Sequence, residues 1–197
     1  MFLDSASHSA VIWKKGRDYG WEQGRAGMGL NERNLPPGPD PIVVRPLRPA
    51  DVTKISELAK QLGSASTETQ TRKRLSEMQD SSQFAVYVAA IGAHRIAGWI
   101  GAYVFRSVQT APCVEISGLV VDERLRSKGI GKLLLAAIEE WSQMIGCNIV
   151  SVRSNVIRQD AHRFYLNNCY EFVKKQSTFR KTLGNTRDMG LRHEGKK

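Results

Sequence analysis

The sequence predicts an α/β fold, in which a central mixed sheet of about seven strands carries helices on both faces. Three observations support this prediction. The β-branched run Cys113–Val121 precedes a long apolar helix and a further strand at 148–153, which indicates a parallel crossover. Upstream, the apolar runs 84–90 and 95–105 are separated by a short turn at Gly92 and predict a hairpin. Helical patterns before and after this hairpin complete the interleaving of strands and helices.

The two ends of the chain differ from its middle. Residues 1–41 combine scattered glycines with the proline-rich stretch 36–41, and they show neither a helical nor a strand period. Prolines spaced in this way are typical of a stiff linker. We therefore expect residues 1–41 to be a disordered extension and residues 42–184 to form the folded domain. Residues 185–197 are polar and basic, and we expect them to be a frayed tail.

The folded domain is expected to begin with a short strand at 42–45 and a helix that starts near Pro49 and ends at Gly63. A second helix is predicted after Thr67, because Thr67 and Gln70 have the spacing of a capping box. The cations on this second helix indicate a solvated face, and a substrate-binding surface is the alternative. The apolar face of the first helix consists of Val52, Ile55, Leu58 and Leu62.

A basic turn, residues 122–131, lies between the strand Cys113–Val121 and a helix predicted over 132–145. The start of a helix carries partial positive charge, which favours acidic neighbours. A bound phosphate or pyrophosphate would resolve the repulsion among the cations found there, and Gly129 and Gly131 would let it approach the main chain. A solvated basic turn is the alternative interpretation. The cations are Arg124, Arg126, Lys128 and Lys132.

Two residues of the preceding strand favour the ligand-binding interpretation. Gly118 interrupts an apolar run, and a glycine inside a strand indicates a bulge or a close backbone approach. Glu115 lies between Val114 and Ile116, where a carboxylate destabilises the fold unless it is paired or takes part in chemistry. Buried there, Glu115 would suit a general base, acting directly or through water. The alternative is a structural carboxylate bonded to a neighbouring strand or to an arginine.

The charge of the chain is positive and is concentrated in its folded part. The net charge is +10 over 197 residues, and residues 42–184 contain 20 lysines and arginines against 12 acidic residues. Nucleic-acid binding would explain such a balance, but the sequence has neither a recognised nucleic-acid motif nor a basic stripe with interleaved aromatics. A polyphosphate cofactor and an acidic substrate explain it at least as well. We therefore expect no nucleic-acid partner.

Cysteine usage and hydropathy indicate the compartment. No apolar run approaches the roughly 18 residues of a membrane span, and no secretory signal pattern is seen at the start. The three cysteines, Cys113, Cys147 and Cys169, lie in or beside apolar stretches without C-x-x-C spacing. An odd number of separated cysteines predicts reduced core thiols in a cytoplasmic protein. We expect neither a membrane partner nor a metal ion.

The basic turn resembles a known motif. Arg126-x-x-Gly129-x-Gly131 after a hydrophobic strand resembles the [QR]-x-x-G-x-[GA] loop with which the GNAT superfamily of N-acyltransferases binds the pyrophosphate of acyl-CoA. A second block, N-x5-A-x2-F-Y, is matched by Asn155, Ala161, Phe164 and Tyr165. The fuller string 158–165 is similar to small-molecule amine acetyltransferases, including aminoalkylphosphonate N-acetyltransferases. The resemblance covers residues 42–183 and implies the GNAT fold.

The resemblance implies an N-acetyltransferase that moves an acetyl group from acetyl-CoA, its co-substrate, to a primary amine by direct attack in a ternary complex. Glu115 is then expected to be the general base and Tyr165 the general acid that protonates the departing thiolate; a core aromatic is the alternative for Tyr165. The Leu119 N–H is expected to hold the oxyanion. The residues expected to bind acetyl-CoA are Leu119, Val120, Val121, Arg126, Ser127, Lys128, Gly129, Ile130, Gly131, Lys132 and Asn155.

The acceptor and the assembly are less defined. A small-molecule amine is expected, and a basic pocket would favour an anionic one. The resemblance is compatible with a homodimer. The alternatives to this enzyme are a catalytically inactive acyl-CoA-binding regulatory module, a protein or peptide N-acetyltransferase, and a basic nucleic-acid-binding domain.

One departure from the family pattern concerns the end of the chain. The glycine that usually follows the helix predicted over 159–168 is replaced by Cys169, so this helix is expected to end without a left-handed glycine. A closing hairpin is expected at 170–174 and 178–183.

Overall fold

The computed structural model describes residues 11–15, 21–24, 40–79, 81–92 and 95–183, and it divides into one unit ending at Arg153 and a second beginning at Ser154. The first unit contains a seven-stranded sheet of order β2-β1-β3-β4-β5-β6-β7. Its neighbours are antiparallel except for the parallel pair β6–β7. The strands are β1 (Val11–Lys15), β2 (Trp21–Gly24), β3 (Ile42–Pro46), β4 (Phe84–Ile91), β5 (Arg95–Phe105), β6 (Cys113–Val121) and β7 (Val150–Val152).

Helices cover both faces of this sheet, as the sequence predicts. Ile55 and Leu58 of α1 pack against a cluster that includes Val120 of β6. On the opposite face, α3 packs closely on β5. A Cβ atom added to Gly98, which pairs with Val121, would lie 3.3 Å from the Leu134 side chain. The helices are α1 (Val52–Gln61), α2 (Glu68–Gln79), α3 (Ile130–Met144) and, in the second unit, α4 (Gln159–Leu166), with 3-10 turns at Pro49–Asp51 and Glu123–Leu125. None of the helices in the described part of the chain has the length and hydropathy that a membrane crossing requires.

Several local predictions are confirmed. The capping box of α2 is reciprocal, because the Thr67 N–H donates to Gln70 Oε1 at 3.0 Å and the Gln70 N–H donates to Thr67 Oγ1 at 3.2 Å. The hairpin β4–β5 turns at Gly92, which has a φ of 60°. The helix α3 begins at Ile130, two residues earlier than expected. It forms the crossover from β6 to the parallel strand β7.

The N-terminal region differs from our expectation. Strand β1 pairs with β3, with Val11 opposite Val44 and Trp13 opposite Ile42, and β2 pairs with β1. We expected no strand in residues 1–41. The outer edge of β3 offers unpaired N–H and C=O groups, and a β-branched and aromatic segment readily adds to such an edge. Most of residues 1–41, and the predicted tail 185–197, lie outside the described residues.

The predicted closing hairpin is wrong. Residues 167–183 are described without regular secondary structure, so five strands lie within the predicted domain 42–184, and the total of seven is reached only through β1 and β2. Strand propensity is expressed where one face of a strand is buried against neighbours. In this segment the large apolar side chains are exposed, among them Phe172, Val173, Phe179 and Leu183.

The end of α4 also corrects our expectation. Cys169 takes the left-handed position itself, with a φ of 63°. The Tyr170 N–H donates to the Tyr165 carbonyl and the Cys169 N–H to the Leu166 carbonyl, each at 3.1 Å, which is the Schellman pattern. All three cysteines are free; Cys147 is buried, but Cys169 is exposed and is therefore not a core thiol.

A buried ion pair ties β3 to the start of α1. Arg45 donates from Nη1 to Asp51 Oδ2 at 2.7 Å and from Nη2 to Oδ1 at 2.9 Å. Asp51 also accepts the Arg48 backbone N–H at 2.8 Å. The side chains are only 10% and 7% exposed, so each charge depends on the other for its stabilisation.

We predict that Asp51→Asn lowers the free energy of unfolding by roughly 3–5 kcal/mol at neutral pH, because Arg45 is left buried without its counter-charge. Burial alone would raise the pKa of Asp51, but hydrogen bonds from Arg45 and Arg48 and the charges of both arginines hold this pKa below its ordinary value. A lowered folded-state pKa stabilises the fold above the unfolded pKa of about 4, and this contribution is lost as the pH falls through the folded value.

Urea unfolding at neutral pH and at several values below about pH 4 measures both effects. The wild-type protein should lose this stability contribution in the acid range, and Asp51→Asn should lack that component of the pH dependence. Asp160→Asn is the control, because Asp160 forms an exposed ion pair with Arg163 and should change stability by less than about 1 kcal/mol. Equal effects of the two substitutions would contradict the prediction.

We predict that Cys169→Gly stabilises the protein by about 1 kcal/mol, since glycine adopts the left-handed conformation without the Cβ clash. Thermal unfolding under reducing conditions checks this. Cys169→Ala is the control, because alanine retains the Cβ atom and removes the thiol; an equal gain in both variants would assign the effect to the thiol.

Candidate active site

The parallel pair β6–β7 separates part of the way along β6. The ladder joins Val114 to Val150, Glu115 to Ser151 and Ile116 to Val152, and there β7 ends. Strand β6 continues to Val121, and over this stretch β5 is its only strand neighbour among the described residues. One backbone edge of β6, residues 117–121, is therefore open on the side where β7 has ended.

The direction of the backbone groups on this open edge follows from the strand alternation. The Asp122 N–H donates to the Ala97 carbonyl of β5 at 2.8 Å. Successive residues of a strand direct their backbone N–H and C=O groups to opposite sides. The backbone groups of Val120 therefore point toward β5, whereas those of Leu119 and Val121 point away from it. Within the described residues no strand lies on that side. The Leu119 and Val121 N–H groups thus have no strand partner among the described residues, and their predicted role in binding acetyl-CoA stays a prediction.

A bulge precedes this open edge, and it explains Gly118. The β5–β6 register shifts between Gly101 and Ala102, which leaves Ser117 outside the ladder. A Cβ on Gly118 would stand 2.8 Å from Cη2 of Trp99, so the indole ring lies directly against the strand. Both features expected of an interior glycine, a bulge and a close approach, are confirmed. The group that approaches is the Trp99 ring, whose Nε1 is buried without a hydrogen-bond partner among the described residues.

The basic turn after β6 ends at an open helix N-terminus. Gly129, with a φ of 79°, is the N-cap of α3, and no side chain caps the helix there. The first N–H groups of a helix have no intrahelical partner, so they point out of the turn as donors. Ser127 has a φ of 60°, which is unusual for a residue with a Cβ and is typical of functional loops. Arg124, Arg126, Lys128 and Lys132 are exposed.

Glu115 is buried on β6 and is paired with an arginine. Arg153 Nε lies 2.7 Å from Glu115 Oε1, and Arg153 Nη2 donates to Oε2 at 2.8 Å. The Glu115 side chain is 9% exposed, whereas the Arg153 side chain is 66% exposed. The hydrogen bond and the charge of Glu115 raise the pKa of Arg153. Of the two interpretations from the sequence, this geometry supports the arginine-paired carboxylate, and the general-base role of Glu115 stays a prediction.

The second unit contains the other two predicted site residues, and its internal geometry is clear. Asn155 Oδ1 accepts the Ile157 N–H at 3.2 Å, and the Asn155 carbonyl lies 3.0 Å from His162 Nε2. Tyr165 is half-buried, with its ring centroid 5.3 Å from that of Phe164 and 5.5 Å from that of Tyr170. Burial raises the pKa of Tyr165 and outweighs the charge of Arg158, which lowers this pKa. The phenol is therefore protonated at neutral pH.

The structure thus places Glu115, the open edge of β6 and the basic turn in one unit, and Asn155 and Tyr165 in the other. Sequence reasoning missed Arg153. The alternation of side chains along β7 could have indicated it. Ser151 is opposite Glu115, and Arg153, two positions later, projects from the same face as Ser151. His162, for which the sequence predicts no role, lies in hydrogen-bond contact with the Asn155 carbonyl.

Curated relatives match parts of the chain. The aminoalkylphosphonate N-acetyltransferase of Salmonella typhimurium is 44% identical over 68 residues, which cover 34% of this chain and 42% of the relative. The aminoglycoside N(6')-acetyltransferase type 1 of Serratia marcescens is 25% identical over 76 residues, covering 39% of this chain and 52% of the relative. The chain spans about half or less of the length of these relatives.

Solved structures share the fold. The aminoglycoside N-acetyltransferase AAC(6')-Iy in complex with CoA superposes with a TM-score of 0.68 at 18% identity, over 76% of this chain and 100% of that one. Glucosamine-6-phosphate N-acetyltransferase from Arabidopsis thaliana superposes with a TM-score of 0.61 at 21% identity, over 71% of this chain and 97% of that one. The sequence pattern described as "Acetyltransferase (GNAT) family" matches residues 53–169. This match includes the open edge of β6, the basic turn and Tyr165, and it covers more than half of the chain, which therefore belongs to the GNAT acetyltransferase family.

Proposed function

We propose that this protein is an N-acetyltransferase that transfers the acetyl group of acetyl-CoA to a primary amine of a small molecule, by direct attack in a ternary complex. The observation that carries the proposal is the open edge of β6 leading directly into an uncapped helix N-terminus surrounded by cations. An extended ligand with amides at one end and phosphates at the other matches the backbone edge of β6 followed by the N–H groups and cations at the start of α3.

The residues present fit acetyl-CoA. On the open edge, the Leu119 carbonyl and the Val121 N–H would bond the amides of the pantetheine arm, in the manner of an added strand. The Val121 carbonyl already accepts a hydrogen bond from Arg126 Nε at 3.3 Å. The N–H groups at the start of α3 and the side chains of residues 126–132 would hold the pyrophosphate. In the second unit, Asn155 has its Oδ1 engaged by Ile157, which leaves its amide N–H group to donate to the pantetheine arm.

Acetyl-CoA would supply an acetyl group activated as a thioester, and the side chains would handle the protons. The Leu119 N–H would donate to the thioester carbonyl oxygen, where negative charge develops during attack. Glu115 would accept the proton of the amine, directly or through water. Because Arg153 contacts both oxygens of Glu115, this step requires the ion pair to loosen as the acceptor binds. Tyr165 would protonate the departing thiolate.

The acceptor proposal rests on the relatives and on charge. The Salmonella relative is named for aminoalkylphosphonates and the Serratia relative for aminoglycosides, which are small amines. The basic surplus of the folded domain favours an anionic amine. We also propose a cytoplasmic location, which suits three unpaired cysteines, and a homodimer, which rests on the family resemblance alone.

The test of the function is release of free thiol from acetyl-CoA in the presence of a broad panel of amines. We expect turnover that depends on one class of small amine. Binding of acetyl-CoA without turnover of any amine would identify an acyl-CoA-binding module instead. Acetylation of peptides in preference to small amines would identify a protein N-acetyltransferase.

We predict that Gly129→Ala weakens acetyl-CoA binding at least about tenfold, because a Cβ disfavours the left-handed N-cap and crowds the anion site. Titration calorimetry with acetyl-CoA measures the loss. The matched control is Gly146→Ala at the other end of α3, where φ is 77° and a Cβ would meet nothing within 4 Å. It should carry a similar conformational penalty and leave the affinity unchanged; equal losses of affinity would argue against this loop as the binding site.

We predict that Tyr165→Phe lowers kcat by roughly 10²–10⁴-fold and leaves acetyl-CoA affinity nearly unchanged, because only the proton donor is removed. The loss should shrink with an acyl donor whose leaving thiol is more acidic, since that thiolate needs less protonation. The control is Tyr87→Phe, another tyrosine whose pKa burial raises, on β4 and away from the open edge of β6. Near wild-type kcat in Tyr165→Phe, on a substrate for which chemistry is rate-limiting, would return Tyr165 to a packing role.

A further inference from the structure

Arg153 is held in one orientation by two contacts. Its Nε and Nη2 bind the two oxygens of Glu115 side by side, which fixes the plane of the guanidinium. Its Cζ lies 6.0 Å from the centroid of the Phe105 ring, within the range of a cation–π contact. An exposed arginine ordinarily samples many rotamers, so an arginine aligned by a buried carboxylate and an aromatic ring is preorganised for binding.

The remaining donors of this guanidinium are available. Arginine has five N–H groups, and the fork to Glu115 uses one from Nε and one from Nη2. Nη1 makes no hydrogen bond to any other residue that the structure describes. With its side chain 66% exposed, Arg153 offers these donors to solvent.

The position of Arg153 is beside the proposed acyl-transfer site. Arg153 immediately follows the last residue of β7, at the point where β7 leaves β6. The next residues of β6 are Ser117, which is exposed at the bulge, and Gly118; the unpaired N–H of Leu119 follows them. A group bound to Arg153 would therefore lie at the same opening as the thioester carbonyl.

We infer that Arg153 selects the acceptor: its guanidinium, aligned by Glu115 and Phe105, binds the anionic group of a small zwitterionic amine. This inference rests on the proposed function and names the residue that determines its substrate class. A carboxylate or phosphonate matches the planar donors of a guanidinium.

The pairing with Glu115 explains why the acceptor should be a zwitterion rather than a simple anion. The Glu115–Arg153 pair is neutral as a whole, so an anion alone would gain from Arg153 and be repelled by Glu115. A molecule with an ammonium and an anion a few bonds apart offers each partner an opposite charge. Its anionic group binds Arg153, and its ammonium approaches the Glu115 carboxylate, which would accept the amine proton. An alkylammonium without an anionic group would be attracted by Glu115 and repelled by Arg153, so it gains little from the pair.

The experiment compares three acceptors of similar size, namely aminomethylphosphonate, β-alanine and propylamine, in the thiol-release assay with full-length wild-type protein and Arg153→Gln. We expect the wild type to prefer the two zwitterions in kcat/KM. Arg153→Gln should lower kcat/KM for the zwitterions by about 10–100-fold, mainly through KM, and should not lower the propylamine value, because propylamine has no anion to lose a contact. Arg95→Gln is the control. Arg95 is an exposed arginine at the first position of β5, whereas Phe105, which contacts Arg153, is at the last.

Calorimetry with acetyl-CoA accompanies the assay, and Arg153→Gln should bind it like the wild type. Equal wild-type rates with all three acceptors, or equal losses for all three in Arg153→Gln, would overturn the inference and leave the acetyltransferase proposal intact. A wild-type protein that turns over no amine in the whole panel would instead overturn the proposed function. The two failures are therefore distinguishable.

Discussion

The early end of β7 is the constraint on which the candidate site depends. Strand β7 has three residues and pairs with Val114, Glu115 and Ile116, so in the part of the chain that the structure describes residues 117–121 of β6 keep one backbone edge without a strand partner. An unpaired edge is usually a liability in a sheet. Here it continues along the chain into a basic turn and into a helix N-terminus without a side-chain cap. A β7 longer by a few residues would occupy this edge and remove the site.

The core holds this edge in place from both faces of β6. On one face Val120 packs in the cluster with α1, and the ring of Trp99 lies against Gly118. On the other face α3 packs so closely that Leu134 approaches Gly98. Strand β6 therefore cannot shift without disturbing two packed layers. This rigidity suits a site whose donors are main-chain N–H groups, because their positions are set by the strand rather than by side-chain rotamers.

The Glu115–Arg153 pair has a structural role and, in the function that we propose, a chemical one. A carboxylate as buried as Glu115 requires a partner, and the guanidinium meets that need while remaining largely in solvent. The arrangement is therefore stable without an acceptor, and in our proposal a molecule carrying both charges would open the pair by exchange. The same contact that stabilises the strand pair β6–β7 can in this way link acceptor binding to the availability of the carboxylate.

Much of the fold and the local geometry of the basic turn could be predicted from the sequence, because their determinants are local. The capping box of Thr67 and Gln70, the left-handed Gly129 and the crossover from β6 to β7 each depend on residues close together in the chain. Only the tertiary structure decided the features that depend on distant partners or on burial.

Arg153 reaches Glu115 across 38 positions of sequence, and neither residue by itself indicates the other. The same reason accounts for the two errors in the sheet. Residues 170–183 have strand-like composition but no buried face, and Val11–Lys15 becomes a strand because β3 has an open edge beside it. Local sequence thus determined the loop and the helices, whereas long-range burial and pairing decided the sheet edges and the partner of Glu115.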